Sequence, residues 1–222
     1  MPVAVLCSAG LDSVVLLAHE AKRTEVQPIY VAVGLAWEAE EQHRLKAVMA
    51  ALNHDGRIRP ARVLDMSMRD VYAPTHWAIQ GNPPGYHTPD DHVYIIGRNL
   101  TLLTKAAIFC AHASIHELAL GPLAGNPFPD ATPQFFRALE RALSLGLAHD
   151  ITISTPFRDL RKADVLRLGL ALGVPLHLTL SCMKTVGGLH CGQCSKCRER
   201  QEAFAHAGLT DPTAYASRSP SG

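Results

Sequence analysis

Long apolar segments are missing from this sequence. No stretch reaches about 18 uninterrupted apolar residues, so we expect no membrane span. The first residues, MPVAVLCSAGLDS, lack the basic segment and long apolar run that mark a secretory signal. We therefore expect the protein in the cytoplasm. There, clustered cysteines such as those among the six in this sequence bind metals or take part in redox chemistry more often than they form disulfides.

An excess of either sign of charge is missing as well. Lys and Arg number 21 against 20 Asp and Glu, which gives a net charge of +1. A basic stripe with interleaved aromatic residues is also missing, so the composition does not favour a direct nucleic-acid partner. Of the 222 residues, 47% are hydrophobic and 18% are charged, which predicts one good-sized domain with a substantial core.

Short apolar runs alternate with segments of helical spacing. The apolar runs predict strands at residues 3–7, 28–33, 61–65, 116–123 and 150–157. The helical spacing predicts helices at residues 12–22, 38–52, 100–113, 132–145 and 161–173. This alternation indicates an α/β fold, a doubly wound and mostly parallel sheet with helices on both faces. Residues 72–92 show no sustained period and predict a long loop that is functional or mobile.

The segment CSAGLDS joins the first predicted strand to the first predicted helix. Its small residues let backbone N–H groups approach an anion closely, and the helix N-terminus adds partial positive charge. The pattern predicts a phosphate-binding loop, which we call the phosphate loop, made of Ser8, Ala9, Gly10, Leu11, Asp12 and Ser13. The alternative is a tight turn in which Asp12 only caps the helix.

Four of the cysteines lie close together near the end of the sequence: Cys182, Cys191, Cys194 and Cys197. The short spacings suit a tetrahedral zinc site with four thiolate ligands, which is closed to water and therefore structural. An iron–sulfur cluster, a redox pair and disulfides are the alternatives. His190 is expected to be a neighbour rather than a ligand, and Cys7 and Cys110 lie in apolar runs typical of the core.

The two motifs together resemble a known family. The phosphate loop resembles the Ser-Gly-Gly-x-Asp-Ser loop of the PP-loop ATP pyrophosphatases. With the Cys-x8-Cys-x2-Cys-x2-Cys pattern it resembles the 7-cyano-7-deazaguanine synthase family, as do Gly97-Arg98-Asn99, Pro129-Asp130 and the segment from Thr155 to Lys162. The resemblance implies an adenine nucleotide alpha hydrolase-like fold at 1–178. The cysteine spacing predicts a zinc-binding element at 179–210, and the lack of periodicity predicts an irregular tail at 211–222.

The resemblance also implies an activity. ATP would adenylate the carboxylate of 7-carboxy-7-deazaguanine, ammonia would give the amide, and a second ATP would drive dehydration to the nitrile, for queuosine-type nucleosides. It implies structural Zn²⁺, Mg²⁺, ATP as substrate, the deazapurine acid and ammonia as partners, no direct nucleic acid, and a homodimer. The implied catalytic residues are Asp12, Arg98 and Lys162; the implied substrate residues are Trp37, Arg98, Asn99, Phe128 and Asp130.

Three departures from the family pattern concern the loops. Ala9 replaces a glycine, and because Ala disfavours positive φ, the match to the family loop requires a negative φ at this position. Residues 34–43 and 121–130 differ from the family's substrate-recognising segments. The alternatives are a different carboxylate or amide substrate, a tRNA modification such as sulfuration, or a zinc-stabilised binding module without catalysis. Each implied site residue could also be purely structural, with Trp37 and Phe128 in the core and Asp130 as a helix cap.

Overall fold

The structure, a computed structural model, describes residues 1–52 and 55–217. Its strands are β1 (Val3–Leu6), β2 (Val26–Ala32), β3 (Arg62–Asp65), β4 (Glu117–Ala119) and β5 (Thr152–Ser154). Its helices are α1 (Leu11–Arg23), α2 (Glu38–Leu52), α3 (Trp77–Gln80), α4 (Arg98–His112), α5 (Pro133–Leu147), α6 (Lys162–Ala171) and α7 (Ser195–Ala207). Single 3₁₀ turns lie at Asp90–Val93, Pro129–Ala131 and Leu176–Leu178.

The strands form one parallel sheet in the order β3-β2-β1-β4-β5. Val5 in β1 lies opposite Pro28 in β2 and Ala119 in β4. The chain winds from β1 outwards through β2 and β3, then returns to the other side of β1 with β4. In a doubly wound sheet, ligands bind at the carboxyl ends of the strands where the winding reverses. This architecture confirms the predicted fold class and places the crevice between β1 and β4.

Helices cover both faces of the sheet. Val3 and Val5 of β1 pack into the core beneath α1, α6 and α7, whereas Ala4 points into the core beneath α4 and α5. This alternation follows from the two-residue period of a strand. Because β1 is buried on both sides, its residues are apolar throughout, as the sequence showed.

Two predicted strands were too long. β4 ends at Ala119 and β5 ends at Ser154, whereas the sequence predicted strands through residues 123 and 157. Pro122 and Pro156 lie in the excluded ends, and proline has no N–H to donate to a neighbouring strand. The predicted loop at 72–92 also contains the short α3, whose first turn is capped by the imidazole of His76.

The predicted tail docks on the metal-binding element. The backbone N–H of His190 donates to the carbonyl of Ala214, and the carbonyl of His190 accepts from the N–H of Ala216. The Ser217 hydroxyl donates to the carbonyl of Cys191 at 2.7 Å. Residues 218–222 of the predicted tail lie outside the described residues, and the boundary at residue 178 stays a prediction. Across the described ranges, no helix has the length and apolarity that crossing a bilayer requires.

Candidate active site and metal centre

The phosphate loop lies at the carboxyl end of β1, beside the crevice. The backbone N–H of Ser8 donates to Ser13 Oγ at 3.2 Å, and that hydroxyl donates to the carbonyl of Gly10 at 2.9 Å. Gly10 is the residue before α1, and Leu11 is the buried first residue of that helix. These bonds hold a turn that directs the N-terminus of α1 towards the crevice, which is a favourable place for an anion.

The negative φ that the loop match required at Ala9 is not found. Its φ is 60°, in the left-handed region, and its side chain is fully buried. Such a conformation costs a residue with a Cβ roughly 1–2 kcal/mol. The carbonyl of Ala9 accepts the N–H of Leu180 at 2.9 Å, so the loop is tied to the chain that leads into the metal-binding element. The loop thus keeps a glycine-like conformation although the glycine is gone.

Asp12 does not cap α1. Gly10 occupies the capping position and makes no side-chain capping bond, so the capping alternative was wrong. Instead Asp12 Oδ2 accepts from Lys162 Nζ at 2.6 Å, and Lys162 also lies 2.8 Å from Glu199 Oε1. Burial alone would lower the pKa of Lys162, but the two carboxylates raise it above its ordinary value. Asp12 Oδ1 is buried and has no hydrogen-bond partner within the described part of the chain.

Two adjoining cavities open at the crevice. The loop cavity, of about 410 Å³, is lined by the phosphate loop, Lys162 and the start of α7. The sheet cavity, of about 240 Å³, is lined by residues at the carboxyl ends of β1 and β2. Ser8, Glu41 and Arg98 line both cavities. The Nε of Arg98 is buried without a hydrogen-bond partner in residues 1–52 and 55–217, which leaves one of its donors free at the junction.

Asn99 and Asp130 are bound to each other. The backbone N–H of Asn99 donates to Asp130 Oδ2 at 3.1 Å, and its side-chain amide donates to the carbonyl of Asp130 at 3.0 Å. Asp130 therefore caps the first turn of α4, while Thr132 caps α5 through the N–H of Phe135 at 3.2 Å. The Asn99–Asp130 pair fixes part of the wall of the sheet cavity. These polar groups hydrogen-bond to each other and thereby stabilise the fold.

The two aromatic residues predicted at the substrate site stack on other aromatic rings. Trp37 is buried and stacks on Trp77, with ring centroids 5.8 Å apart and planes 11° apart. Phe128 stacks on Tyr94 with centroids 5.1 Å apart. Trp37 lines the loop cavity and Phe128 lines both cavities. Trp37 thus has mainly a packing role. The Phe128–Tyr94 pair, in contrast, forms an aromatic wall of the sheet cavity.

Glu41 is a site residue that the sequence did not single out. It is 8% exposed, and its Oε2 accepts from the Tyr30 hydroxyl at 2.7 Å. Burial raises the pKa of Glu41 to about 7, against the opposing charge of Arg98. In the sequence it belongs to the acidic run EAEE, which is typical of a solvated helix start. Only its position three residues after Glu38, on the face that carries Trp37, distinguishes it.

Replacement of Glu41 by Gln is expected to remove a pH dependence of stability. The folded state holds a proton on Glu41 up to about pH 7, whereas the unfolded chain releases it near 4.5. Folded protein therefore binds more protons in this window, and the group's contribution to stability falls as pH rises through it, by about 3 kcal/mol at most. Tyr30, Glu38 and Arg98 face the carboxyl and stay in place.

The measurement is the free energy of urea unfolding of both proteins between pH 5.5 and 8. The wild type should lose stability relative to Glu41→Gln as pH rises. Glu40→Gln is the control, because it changes a carboxylate that pairs with Arg44 at 2.9 Å. The wild type should not lose stability relative to Glu40→Gln as pH rises. If the unfolding free energies of wild type and Glu41→Gln change with pH in parallel, the pKa of Glu41 is not raised by folding and the prediction is wrong.

The four cysteines near the end of the chain converge into one cluster, the metal centre. The Sγ atoms of Cys182, Cys191, Cys194 and Cys197 all lie within 4.8 Å of one another. Two of the separations are 3.9 Å, from Cys191 to Cys197, and 3.6 Å, from Cys194 to Cys197. A tetrahedron with metal–sulfur bonds of about 2.3 Å has sulfurs about 3.8 Å apart. The cluster therefore suits one tetrahedral metal ion.

Backbone donors support this metal centre. The N–H groups of Lys184 and Cys191 both donate to Cys182 Sγ at 3.3 Å, which favours a thiolate. Gly192 has a φ of 78°, and a Cβ there would collide with the carbonyl of Ser217. His190 Nε2 accepts from the N–H of Ser181 at 3.0 Å, which fits the expected neighbour rather than a ligand. Cys7 and Cys110 are buried in the cores, as predicted.

The amino-acid sequence of this chain is similar to a known family and to proteins with the same family function in their names. The sequence model of a family described as queuosine biosynthesis protein QueC matches residues 3–208. A 7-cyano-7-deazaguanine synthase from Methanoculleus marisnigri is 33% identical, covering 95% of this chain and 96% of the relative. One from Caldicellulosiruptor saccharolyticus is 30% identical, covering 97% of this chain and 96% of the relative.

A solved structure is similar in fold. It is described as a predicted subunit of tRNA methyltransferase from Methanocaldococcus jannaschii, with a TM-score of 0.50 and 15% identity, covering 98% of this chain and 93% of that one. At this identity the likeness concerns the fold alone.

Proposed function

The chain belongs to the QueC family of queuosine biosynthesis proteins, and from this membership we propose an ATP-dependent ligase activity for it. The enzyme converts 7-carboxy-7-deazaguanine into the nitrile 7-cyano-7-deazaguanine, with ammonia as the nitrogen source. The observation that carries the proposal is the loop cavity, where Asp12, Lys162 and Arg98 meet the phosphate loop at the winding reversal of the sheet. The adjoining sheet cavity offers a second compartment for a flat ring beside the Phe128–Tyr94 pair.

The reaction balances as two adenylations. A carboxylate oxygen attacks the α-phosphorus of ATP, pyrophosphate leaves, and ammonia then displaces AMP to give the amide. The amide oxygen attacks the α-phosphorus of a second ATP and pyrophosphate leaves, and loss of AMP and of both protons of the amide nitrogen then gives the nitrile. No side-chain nucleophile is needed, so the residues act by positioning and by stabilising charge. The phosphate loop holds the pyrophosphate portion, and Lys162 and Arg98 stabilise the negative charge that develops on it.

Both metal assignments belong to this proposal. The Oδ1 of Asp12 is buried and has no hydrogen-bond partner among the residues that the structure describes. It fits a ligand for the Mg²⁺ that accompanies ATP, because hard cations take carboxylate oxygens. The metal centre fits Zn²⁺, since its sulfurs are spaced for a single ion. An iron–sulfur cluster would place a cube of iron and sulfide between the thiolates and hold them farther apart. Four protein ligands close the zinc site, so its role is structural.

The alternative of sulfur transfer has less support in the site. A persulfide carrier needs a reactive thiolate, which is favoured by exposure and a low pKa. Cys7 and Cys110 are buried, and burial raises the pKa of Cys7 to about 11 and that of Cys110 to about 12. The same phosphate loop acting on another carboxylate or amide is the second candidate, because Trp37, Asn99 and Asp130 are engaged by other groups of the protein. A homodimer in the cytoplasm without a nucleic-acid partner stays a prediction.

Product analysis tests the proposed function. The purified protein is incubated with ATP, Mg²⁺, ammonia and 7-carboxy-7-deazaguanine, and mass spectrometry follows AMP and the nitrile. We expect both products to appear, with two AMP for each nitrile. AMP that forms only with a different acid would contradict the substrate and keep the adenylation chemistry. Absence of AMP with every acid tried would contradict the enzyme itself.

A further inference from the structure

Glu199 bridges two lysine side chains at the edge of the loop cavity. Its Oε1 lies 2.8 Å from Lys162 Nζ and its Oε2 lies 2.5 Å from Lys196 Nζ. Lys162 in turn contacts Asp12 of the phosphate loop at 2.6 Å. A continuous chain of alternating charges thus runs from α1 through α6 to α7, and all four side chains line the loop cavity.

The charges in this chain compensate one another. The Glu199 carboxylate lies between the two ammonium groups, with one oxygen directed to each of them. Without the Glu199 carboxylate, Lys162 and Lys196 would be two neighbouring cations that repel each other. With it, both lysine side chains are held at the cavity even before any anionic ligand arrives. This is preorganisation, which reduces the cost of ordering side chains on binding.

The metal centre fixes the helix that carries Glu199. Cys194 is the residue immediately before α7, and Cys197 lies in its first turn. Glu199 follows Cys197 by two positions, so the ligands that hold the metal also set where its carboxylate lies. The metal centre is therefore connected to the phosphate loop through the side chain of Glu199 and its contact with Lys162. This connection is additional to the packing of α7 against the core.

Resting on the proposed function, we propose that Glu199 is a positioning residue that holds Lys162 and Lys196 in place for the phosphates of ATP. The metal-anchored helix thereby contributes to nucleotide binding. Lys196 is the additional phosphate contact that this arrangement supplies, from an element that otherwise stabilises the fold.

The test compares Glu199→Gln with Glu202→Gln. The Glu202 side chain is 55% exposed on the same helix and lies 3.7 Å from Arg198, so it is the matched control. Calorimetry measures the affinity for Mg-ATP from pH 7 to 10, without the acid substrate, and metal content and the melting temperature are measured in parallel. We expect Glu199→Gln to bind ATP about tenfold more weakly, with metal retained. Its affinity should also decline at lower pH than the wild type's, because Lys162 loses a carboxylate that raises its pKa.

A purely structural ion pair would leave the pH profile of ATP binding unmoved. Equal affinity and equal pH profile for Glu199→Gln and wild type would overturn the inference. Should Glu199→Gln be insoluble, Glu199→Asp serves instead, since it keeps the charge but is one methylene too short to bridge both lysines; unchanged ATP binding there would equally overturn it. Wild-type protein that binds no ATP would contradict the proposed function itself, so the two failures are distinct.

Discussion

Replacement of Asp12 by Asn is expected to lower the rate of AMP formation by about 10²–10³-fold while the fold and the metal content stay intact. Asn has nearly the same shape as Asp, so the start of α1 is not disturbed. The change removes the negative charge of the carboxylate, whose Oδ1 has no hydrogen-bond partner in the described part of the chain and is the proposed ligand for the Mg²⁺ of ATP. It also weakens the contact with Lys162, which keeps its second partner in Glu199.

Single-turnover measurement of AMP, with circular dichroism melting and metal analysis, checks this prediction. Asp159→Asn is the control, because its side chain is 86% exposed and pairs with the neighbouring Arg158 outside the cavities. The control should turn over at the wild-type rate. Near-normal turnover of Asp12→Asn would mean that Asp12 only anchors α6 to α1, and a large fall in its melting temperature would point to the same structural role.

Replacement of Cys194 by Ser is expected to abolish metal binding and most of the yield of soluble protein. A serine hydroxyl is a poor ligand for zinc, and in small metal sites the binding free energy is largely folding free energy, of order 10 kcal/mol. Cys194 is 3% exposed and precedes α7, so loss of the metal releases the helix that packs against α6 and carries Glu199.

Metal analysis of the soluble fraction tests this, with Cys110→Ser as the control. Cys110 is also buried, in the core beneath α4 and α5 and away from the metal centre. Its replacement should cost about 1–3 kcal/mol for a buried hydroxyl and leave the metal in place. A soluble, metal-replete and inactive Cys194→Ser protein would show that this cysteine acts on the chemistry instead of the fold.

Local signals in the sequence sufficed for the fold and for the metal centre. Parallel strands and crossover helices give periods that a single sequence displays, and β1 with α1 follows directly from VAVLC and the helical spacing after it. The cysteine cluster was predictable for a similar reason, because ligands within one knuckle must be close in the chain. The helix predicted at residues 132–145 depended on local signals as well, and its cap, Thr132, directly precedes α5.

Contacts between distant segments were not predictable in this way. Lys162 and Asp12 lie 150 positions apart, and no local pattern pairs them. Glu199 stands in a run of alternating charges, RERQE, which resembles any solvated helix face. At Ala9 the local preference gives the wrong conformation. Alanine disfavours the left-handed region, yet the junction of β1 with α1 and the hydrogen bond from Leu180 impose it. Here the tertiary context overrides the local preference.

The fate of the carboxylate oxygens tests the central claim most directly. The protein is supplied with ATP, Mg²⁺, ammonia and 7-carboxy-7-deazaguanine that carries ¹⁸O at both carboxylate positions. Two successive adenylations predict that both labelled oxygens leave in AMP, one in each of two AMP molecules per nitrile. Unlabelled AMP, with the label found in water or inorganic phosphate, would contradict adenylation at the phosphate loop.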